Sequence, residues 1–444
     1  MGTPEPSPAK SGTLSPVLRL PRLAPAVLLV CAALPACGAP ERTGATTLRV
    51  PADYSTVSDA ADAARPGDLI LVSPGRYAET VRIKTADVTL RGTDRNAVVI
   101  DGEVRRANGV VVSAPGVSIE NLTVRNNTLN GVLVTGMSDG GDGLAKGSDG
   151  YTKLDPAKFP PLQGFRVSYV TAGNNGLYGI YAFDAQHGVI ERNYVSGSAD
   201  SGIYVGQCRP CGILVQDNVA ERNAVGYEGT NASGDMYVLR NRFSGNRVGL
   251  TSNSDYQEAL VPQSGATVVG NLLTGNAEPA SPAQADGGFG IGLGIAGGTD
   301  NLVARNRVEG NPAVGIVLGS AVDLPPLRNR LIGNVFGGNG SDVVFAASAR
   351  APGTGNCLQD NLLTTTVPGG LPFSCPAPGG TQPSAPVPRM NPPRGLPFPD
   401  VAAPPDQPDM PGAGQAPPSS AAGLPGPVDV AAVGVPAADL LAVR

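Results

Sequence analysis

One short polar phrase recurs along this chain. The segments IENLTV, IERNYV, VQDNVA, VLRNRF, VVGNLL, VARNRV, LIGNVF and LQDNLL place asparagines at Asn121, Asn193, Asn218, Asn241, Asn271, Asn306, Asn334 and Asn361. VSYVTA reads as a degenerate member with Ser168 in the asparagine slot, and from there the spacings run between 23 and 35 residues. The stretches between are rich in Val, Ile and Leu, are divided by Gly, Asn, Asp and Ser, and are too brief for helices. A strand of four or five residues cannot bury its own face, whereas a stack of similar coils buries it against the coils above and below. One period is therefore one coil, and the asparagines are expected to stack where the chain turns, with amides donating and accepting along the column. Glycine is expected beside them, where tight turns need a positive φ. A recurrent turn in a β-sandwich is the alternative, and the lack of hairpin dipeptides between alternating strands speaks against it.

The start of the repeat region carries its own signature. In VPADYSTVSDAADAARPGDLILVSPGRYAETVRI, Val57, Ala60, Ala61 and Ala64 fall at helical spacing, with Ser55 as the N-cap, Pro66-Gly67 as the stop, and a strand LILV following. The segment VTLRGTDRNAVVIDG at 88–102 fits a first full coil. Lid helix, PGD turn, PGxY strand and asparagine repeats, in that order over residues 48–375, resemble the right-handed parallel β-helix proteins of the pectin-lyase-like superfamily. The resemblance implies an all-β, single-stranded right-handed parallel β-helix whose short N-terminal helix covers the open edge of the first coil.

It does not imply one chemistry, because the superfamily hosts many activities and some non-enzymes. Polygalacturonase-like members carry Asn-Thr-Asp and a paired Asp, and neither occurs here. Lyases would need an Arg or Lys base and often calcium on clustered acids, so calcium stays open without a motif for it. A relative that assists copper-enzyme maturation would need clustered His, Met or Cys, and this chain has five methionines and one histidine, His187, read as a turn or surface residue. No metal site and no cofactor are assigned.

The ends read differently from the repeat. Lys10, Arg19 and Arg22 precede APAVLLVCAAL at 24–34, a run too short to span a bilayer, and Leu34-Pro35-Ala36-Cys37 follows. This resembles a bacterial lipobox, which implies removal of residues 1–36, lipidation of Cys37, a tether over 37–47, and an extracytoplasmic, membrane-anchored protein; a plain secretory signal is the alternative. Export makes Cys208, Cys211, Cys357 and Cys375 two disulfides, most simply Cys208 with Cys211 and Cys357 with Cys375; for CRPC the alternative is half of a metal site or a redox motif. Segments 136–163 and 277–288 read as insertions, the first as a flap over a lateral groove. Residues 376–444, rich in Pro and Ala, cannot supply a core of their own and are expected to be extended or disordered. A net charge of −5 without a basic run excludes nucleic acid as a partner, and the chain is expected to be a monomer.

Chemistry would sit on an outer wall. GIYAFDAQ at 179–186 is nearly repeated as GIYVGQC at 202–208, and taking Gly179, Gly202, Gly226 and Gly249 as one register points Ile180, Ile203, Tyr227 and Leu250 inward. Tyr181, Tyr204, Glu228 and Thr251 then form an outward column, continued by Phe183, Gly206, Thr230 and Asn253 and flanked near the turn by Asp184, Gln207, Asn231 and Asp255. Rings beside carboxylates and amides suit a sugar polymer, since rings stack on pyranose C–H faces while polar groups bind hydroxyls. Asp184, Glu228 and Asp255 are the candidate acid and base across a glycosidic bond. Tyr181, Phe183, Tyr204, Gln207, Asn231, Asn253 and Tyr256 are the candidate ligand contacts. The expected partner is a polysaccharide or cell-wall glycan; the alternative is a non-catalytic scaffold, with the acids as solvated turn residues.

Overall fold

The computed structural model describes residues 44–138, 155, 157–371, 374–388 and 390–442. The expected signal segment, Cys37 and most of the 136–163 insertion lie outside the described residues. From Thr47 onward the chain winds as a right-handed parallel β-helix of three parallel sheets, with 12, 11 and 10 strands among the described residues. Each coil passes once through each sheet, so residues two dozen apart become vertical neighbours: Ile190 pairs with Val215, Val215 with Val238, and Val238 with Val268. The interior is one apolar column running from Leu48 to Leu371.

The expected asparagine column stands at the corner between the 12-stranded and 10-stranded sheets. From Asn193 to Asn361 each side-chain nitrogen donates to the oxygen of the next asparagine at 2.9–3.0 Å, through Asn218, Asn241, Asn271, Asn306 and Asn334. The same oxygens accept the backbone N–H of the preceding rung, as Asn271 Oδ1 does from Asn241 N at 2.9 Å. A corner has no strand partner, and an amide supplies both the missing acceptor and the missing donor. Three details differ from the sequence reading. Asn121 stands one residue ahead of the column, itself at positive φ, and its Nδ2 donates to Gly92 O at 2.9 Å rather than to another asparagine. The degenerate rung is Val170, whose N–H donates to Asn193 Oδ1 at 2.9 Å, while Ser168 lies in the strand opposite Glu191. The positive φ at this corner falls on the residue before each asparagine, and it is glycine only at some rungs: Arg192, Asp217, Arg240 and Arg305 adopt it too. The stacked amides hold the backbone there and override the usual cost of a side chain at positive φ.

Both ends of the column are closed. The helix Val57–Ala63 buries Val57, Ala60 and Ala61 over the first coil. Its N-cap is Thr56 rather than Ser55, because Thr56 Oγ1 accepts from Asp59 N at 3.0 Å; Glu79 also accepts from the N–H groups of Val57 and Ser58. At the other end Leu371 caps the core, and the disulfide Cys357–Cys375 ties that segment to the last coils. Cys208 and Cys211 form the second disulfide.

The C-terminal segment is extended and forms no packed unit of its own. Among the described residues it has no strand and one short 3-10 turn, yet it lies along the outside of the column. Arg247 Nη1 donates to Pro393 O at 2.8 Å, Asn174 Nδ2 to Phe398 O and Val401 O at 2.8 Å, and Arg305 Nη2 to Val430 O at 2.6 Å. Arg91, fully buried, holds Glu120 at 2.8 Å and donates to the carbonyls of Ala416 and Pro417. Val433 packs with Leu214, Leu239 and Val269. Such a segment needs no core of its own when a preformed wall supplies one, and its prolines lower the entropy lost on docking.

One denaturation series tests both devices. Asn271→Ala should cost more stability than Asn361→Ala, by about 1–3 kcal/mol, because it orphans a buried backbone donor and acceptor while the last rung is open to water. Arg91→Ala should cost about 3–5 kcal/mol by stranding Glu120. Equal midpoints across the series would contradict both assignments.

Candidate functional site

The outward columns read from the sequence are present in the register predicted for them. Tyr181 pairs with Tyr204, Tyr204 with Glu228, Glu228 with Thr251, and the same column continues through Gly294 and Val317. Beside it run Phe183, Gly206, Thr230, Asn253, Ala296 and Gly319. Ile180, Ile203, Tyr227 and Leu250 face the core, including the tyrosine.

The wall divides into two parts with different chemistry. In the earlier coils Tyr181, Phe183 and Tyr204 are covered, with 4–7% of their surface exposed, and pack with Val111, Leu133 and Met137 under Phe159 and Tyr178. The ring centroids of Tyr181 and Tyr204 are 5.0 Å apart and edge-on, and Tyr178 lies 4.4 Å and 4.7 Å from them. These rings are occupied by one another, so they offer no face to a sugar in this structure. Phe159 and Met137, at the described ends of the 136–163 insertion, help cover them. Tyr204 O–H donates to Glu258 Oε1. Burial pushes the phenols of Tyr181 and Tyr204 well above the usual range, so they are hydrogen-bond donors and not bases.

In the later coils the wall opens into a cleft of about 370 Å³, within the ~300–1,000 Å³ range of small-ligand sites. Glu228, Thr230, Thr251, Asn253, Gly294 and Ala296 form its polar and small-residue floor. Ser254 and Asp255 bound one part, and Gln284, Asp286 and Gly288, from the 277–288 insertion, another. Gly294 makes the hollow: a Cβ there would meet only Val317 and Thr251, at 3.7 and 3.9 Å. Glu228 accepts from Ser201 Oγ at 2.7 Å and Thr230 Oγ1 at 3.1 Å. Burial, and then the negative Asp200, push its carboxyl up to about 7. Asp200 is raised by burial as well, against hydrogen bonds from Ser201 and Tyr178. Glu258 is pushed up to about 8 by burial, with Glu228 and Asp255 adding to it and the Tyr204 hydrogen bond opposing. Two carboxyls therefore hold protons near neutrality.

Of the residues proposed from sequence, Glu228, Asn253 and Asp255 meet at this cleft. Asp184 does not line it. It is 2% exposed, beside Gln207, and burial pushes it up to about 6 against the Gln207 hydrogen bond. Gln207 accepts from Ala259 N at 3.1 Å, and Asn231 pins Asp255 by bonds of 2.7 and 3.1 Å to its carbonyl and N–H, so both hold the 254–260 loop rather than face the cleft. Tyr256 is 44% exposed, and its hydroxyl donates to Asp323 at 2.7 Å. His187 is an exposed residue of the strand Ala185–Glu191, at positive φ. No three His, Cys, Asp or Glu residues among the described residues are arranged to hold a metal ion. Asp200, Tyr178, Glu258, Gln284 and Asp286 escaped the sequence reading. Asp200 could have been found by carrying the glycine register two residues upstream, whereas Glu258 and Asp286 lie in loops that have no register.

Residues 162–361 match the family model of the right-handed β-helix region. No curated protein sequence matches the chain. Among solved structures, it is similar to the A-module of the Azotobacter vinelandii mannuronan C-5 epimerase AlgE4 at 16% identity and a TM-score of 0.46, covering 73% of this chain and 93% of that one. It is also similar to XylC in complex with xylose, at 10% identity, TM-score 0.42 and coverage of 66% and 75%. The periplasmic alginate epimerase AlgG follows at 15% identity, TM-score 0.37 and coverage of 70% and 75%. At these identities and TM-scores the likeness carries no chemistry to this chain.

The raised Glu258 gives a pH test. A carboxyl whose folded pKa lies above its ordinary 4.5 favours the fold fully only below that value, and the contribution is lost as pH rises through about 8. Glu258→Gln should therefore flatten the fall in melting temperature across that window, read by circular dichroism. A slope identical to the parent's would contradict the burial of this group.

Proposed function

We propose that the lateral cleft binds a polysaccharide, a cell-wall or extracellular glycan, and that Glu228 is its proton-carrying group. What carries the reading is the cleft's lining: carboxylate, amide and hydroxyl groups converge over a floor hollowed by Gly294, on a wall long enough to follow a polymer from coil to coil. The covered tyrosines act as support for Glu258 and Asp200 in this reading, not as stacking platforms. A carboxyl held near pH 7 beside a second acid favours acid–base processing of the bound glycan over binding alone.

A glycan microarray comparing the parent with Gly294→Val tests the reading. A Cβ at this strand position meets only ordinary contacts, so the variant should fold, with its melting temperature checked alongside, and lose roughly tenfold or more in glycan binding by filling the floor. Absence of any ligand for the parent would favour the scaffold alternative. For a bound glycan, new reducing ends formed by the parent and not by Glu228→Gln would separate processing from binding.

We also propose export and lipid anchoring at Cys37. The support is the basic, apolar and Leu-Pro-Ala-Cys succession of the first 37 residues, together with two disulfides that suit an oxidising compartment. Cys37→Ala should move the protein from the detergent phase to the aqueous phase in Triton X-114 partitioning; a parent found wholly in the aqueous phase would refute the anchor.

A further inference from the structure

The charge around the cleft is one-sided. Glu228, Asp255 and Asp286 line it, Asp200 and Glu258 stand close enough to raise or be raised by their neighbours, and no Arg or Lys is among the lining residues. None of these five carboxylates forms an ion pair among the described residues. Elsewhere on the molecule the pattern is the opposite: Asp101, Glu120, Glu191, Asp217 and Asp300 each hold an arginine. The protein thus has arginines enough to neutralise its acids and does so away from the cleft. Thr251 Oγ1 is buried without a hydrogen-bond partner, and its methyl is the atom turned to the hollow at Gly294.

Unpaired carboxylates in a partly desolvated cleft repel anions and attract cations more strongly than they would in open water. A polyuronate brings one carboxylate per sugar and would need arginine, lysine or bound calcium to be held here. The lining offers no such cation, and the acids are not gathered into a metal-binding group. An ammonium group on a sugar ring fits instead, because it carries three donors and a charge, and the cleft presents acceptors spread across neighbouring coils about 4.8 Å apart. Resting on the glycan reading above, we propose that this cleft recognises an amino-sugar polymer with free, protonated amines, in the manner of a deacetylated glucosamine chain.

A linked change in protonation follows. Bringing a cation beside Glu228 and Glu258 lowers their proton affinity, so these carboxyls release protons near pH 7 to 8, while the sugar amine, a weak base partly neutral there, takes protons up as it binds. Affinity should fall below about pH 6, where both carboxyls are protonated, fall again at higher pH as the amine loses its charge, and weaken as salt screens the charges.

Titration calorimetry on the full protein in two buffers of different ionisation enthalpy tests this, with glucosamine, N-acetylglucosamine, glucose and uronate oligomers of equal length, the last with and without calcium. The expected result is at least about tenfold tighter binding of the glucosamine oligomer than of its acetylated counterpart, with a proton exchange that the acetylated oligomer does not show, and a return to the acetylated level in Asp255→Asn and Asp286→Asn. Both acids are on loops at the cleft margin, and unchanged melting temperatures would show that the variants fold. Equal or tighter binding of the acetylated or glucose oligomer would overturn the charge inference and leave the glycan reading standing. So would binding of the uronate oligomer alone. If no oligomer binds, the inference and the glycan reading both fall.

Discussion

The structure depends on side-chain amides standing in for backbone partners at the corners. Every coil must turn three times, and each turn leaves an N–H and a C=O inside with no strand beside them. Asn218, Asn241, Asn271 and Asn306 each accept from the rung before and donate to the rung after, while a second bond reaches a strand carbonyl. The chain repeats this device at two other corners. Asn223, Asn246, Asn276, Asn311 and Asn339 form a second column, and Gln263, Asn301, Asn329, Asn356 and Gln382 a third. Amides that bond in one vertical alignment forbid a slip of one residue, which would exchange the inner and outer faces of every strand.

That fixed alignment lets one outer column change chemistry from coil to coil without disturbing the interior. Tyr181 and Tyr204 give way to Glu228, then Thr251, then Gly294, over a core that stays aliphatic and aromatic throughout. The tyrosines close the wall by packing on one another, and the loss of side-chain volume toward Gly294 opens it. Loops supply what strands cannot: Asp255 from one turn and Asp286 from an insertion complete the cleft's margin. Along the 12-stranded sheet, a different wall, the C-terminal segment presents its carbonyls to arginines that the column holds ready, with Arg91 kept in place by Glu120.

Much of this was legible from the order of residues. The coil period, the inward and outward faces around Gly179 and Gly202, both disulfides and the lid helix could be read because each depends on near neighbours or on a regular interval. The second and third amide columns were legible as well, since a further asparagine lies five residues on from Asn218, Asn241, Asn271, Asn306 and Asn334, across a three-residue strand such as Val219–Glu221, and another lies five residues before Asn306, Asn334 and Asn361. That interval was missed because the first asparagine series already accounted for the period.

By itself the sequence determined the solenoid, its register and which side chains face outward, since a two-residue alternation locked to a recurring amide leaves no other arrangement that buries the aliphatic residues. Tertiary structure decided the rest: that Tyr181, Phe183 and Tyr204 are covered, that Glu228 joins Asp200 and Glu258 while Asp184 stands apart, and that a proline-rich tail lies down on the column. Those outcomes turn on where loops and chain ends land, and a loop's landing place is set by the volume and charge it meets across space, which no local interval in the sequence records.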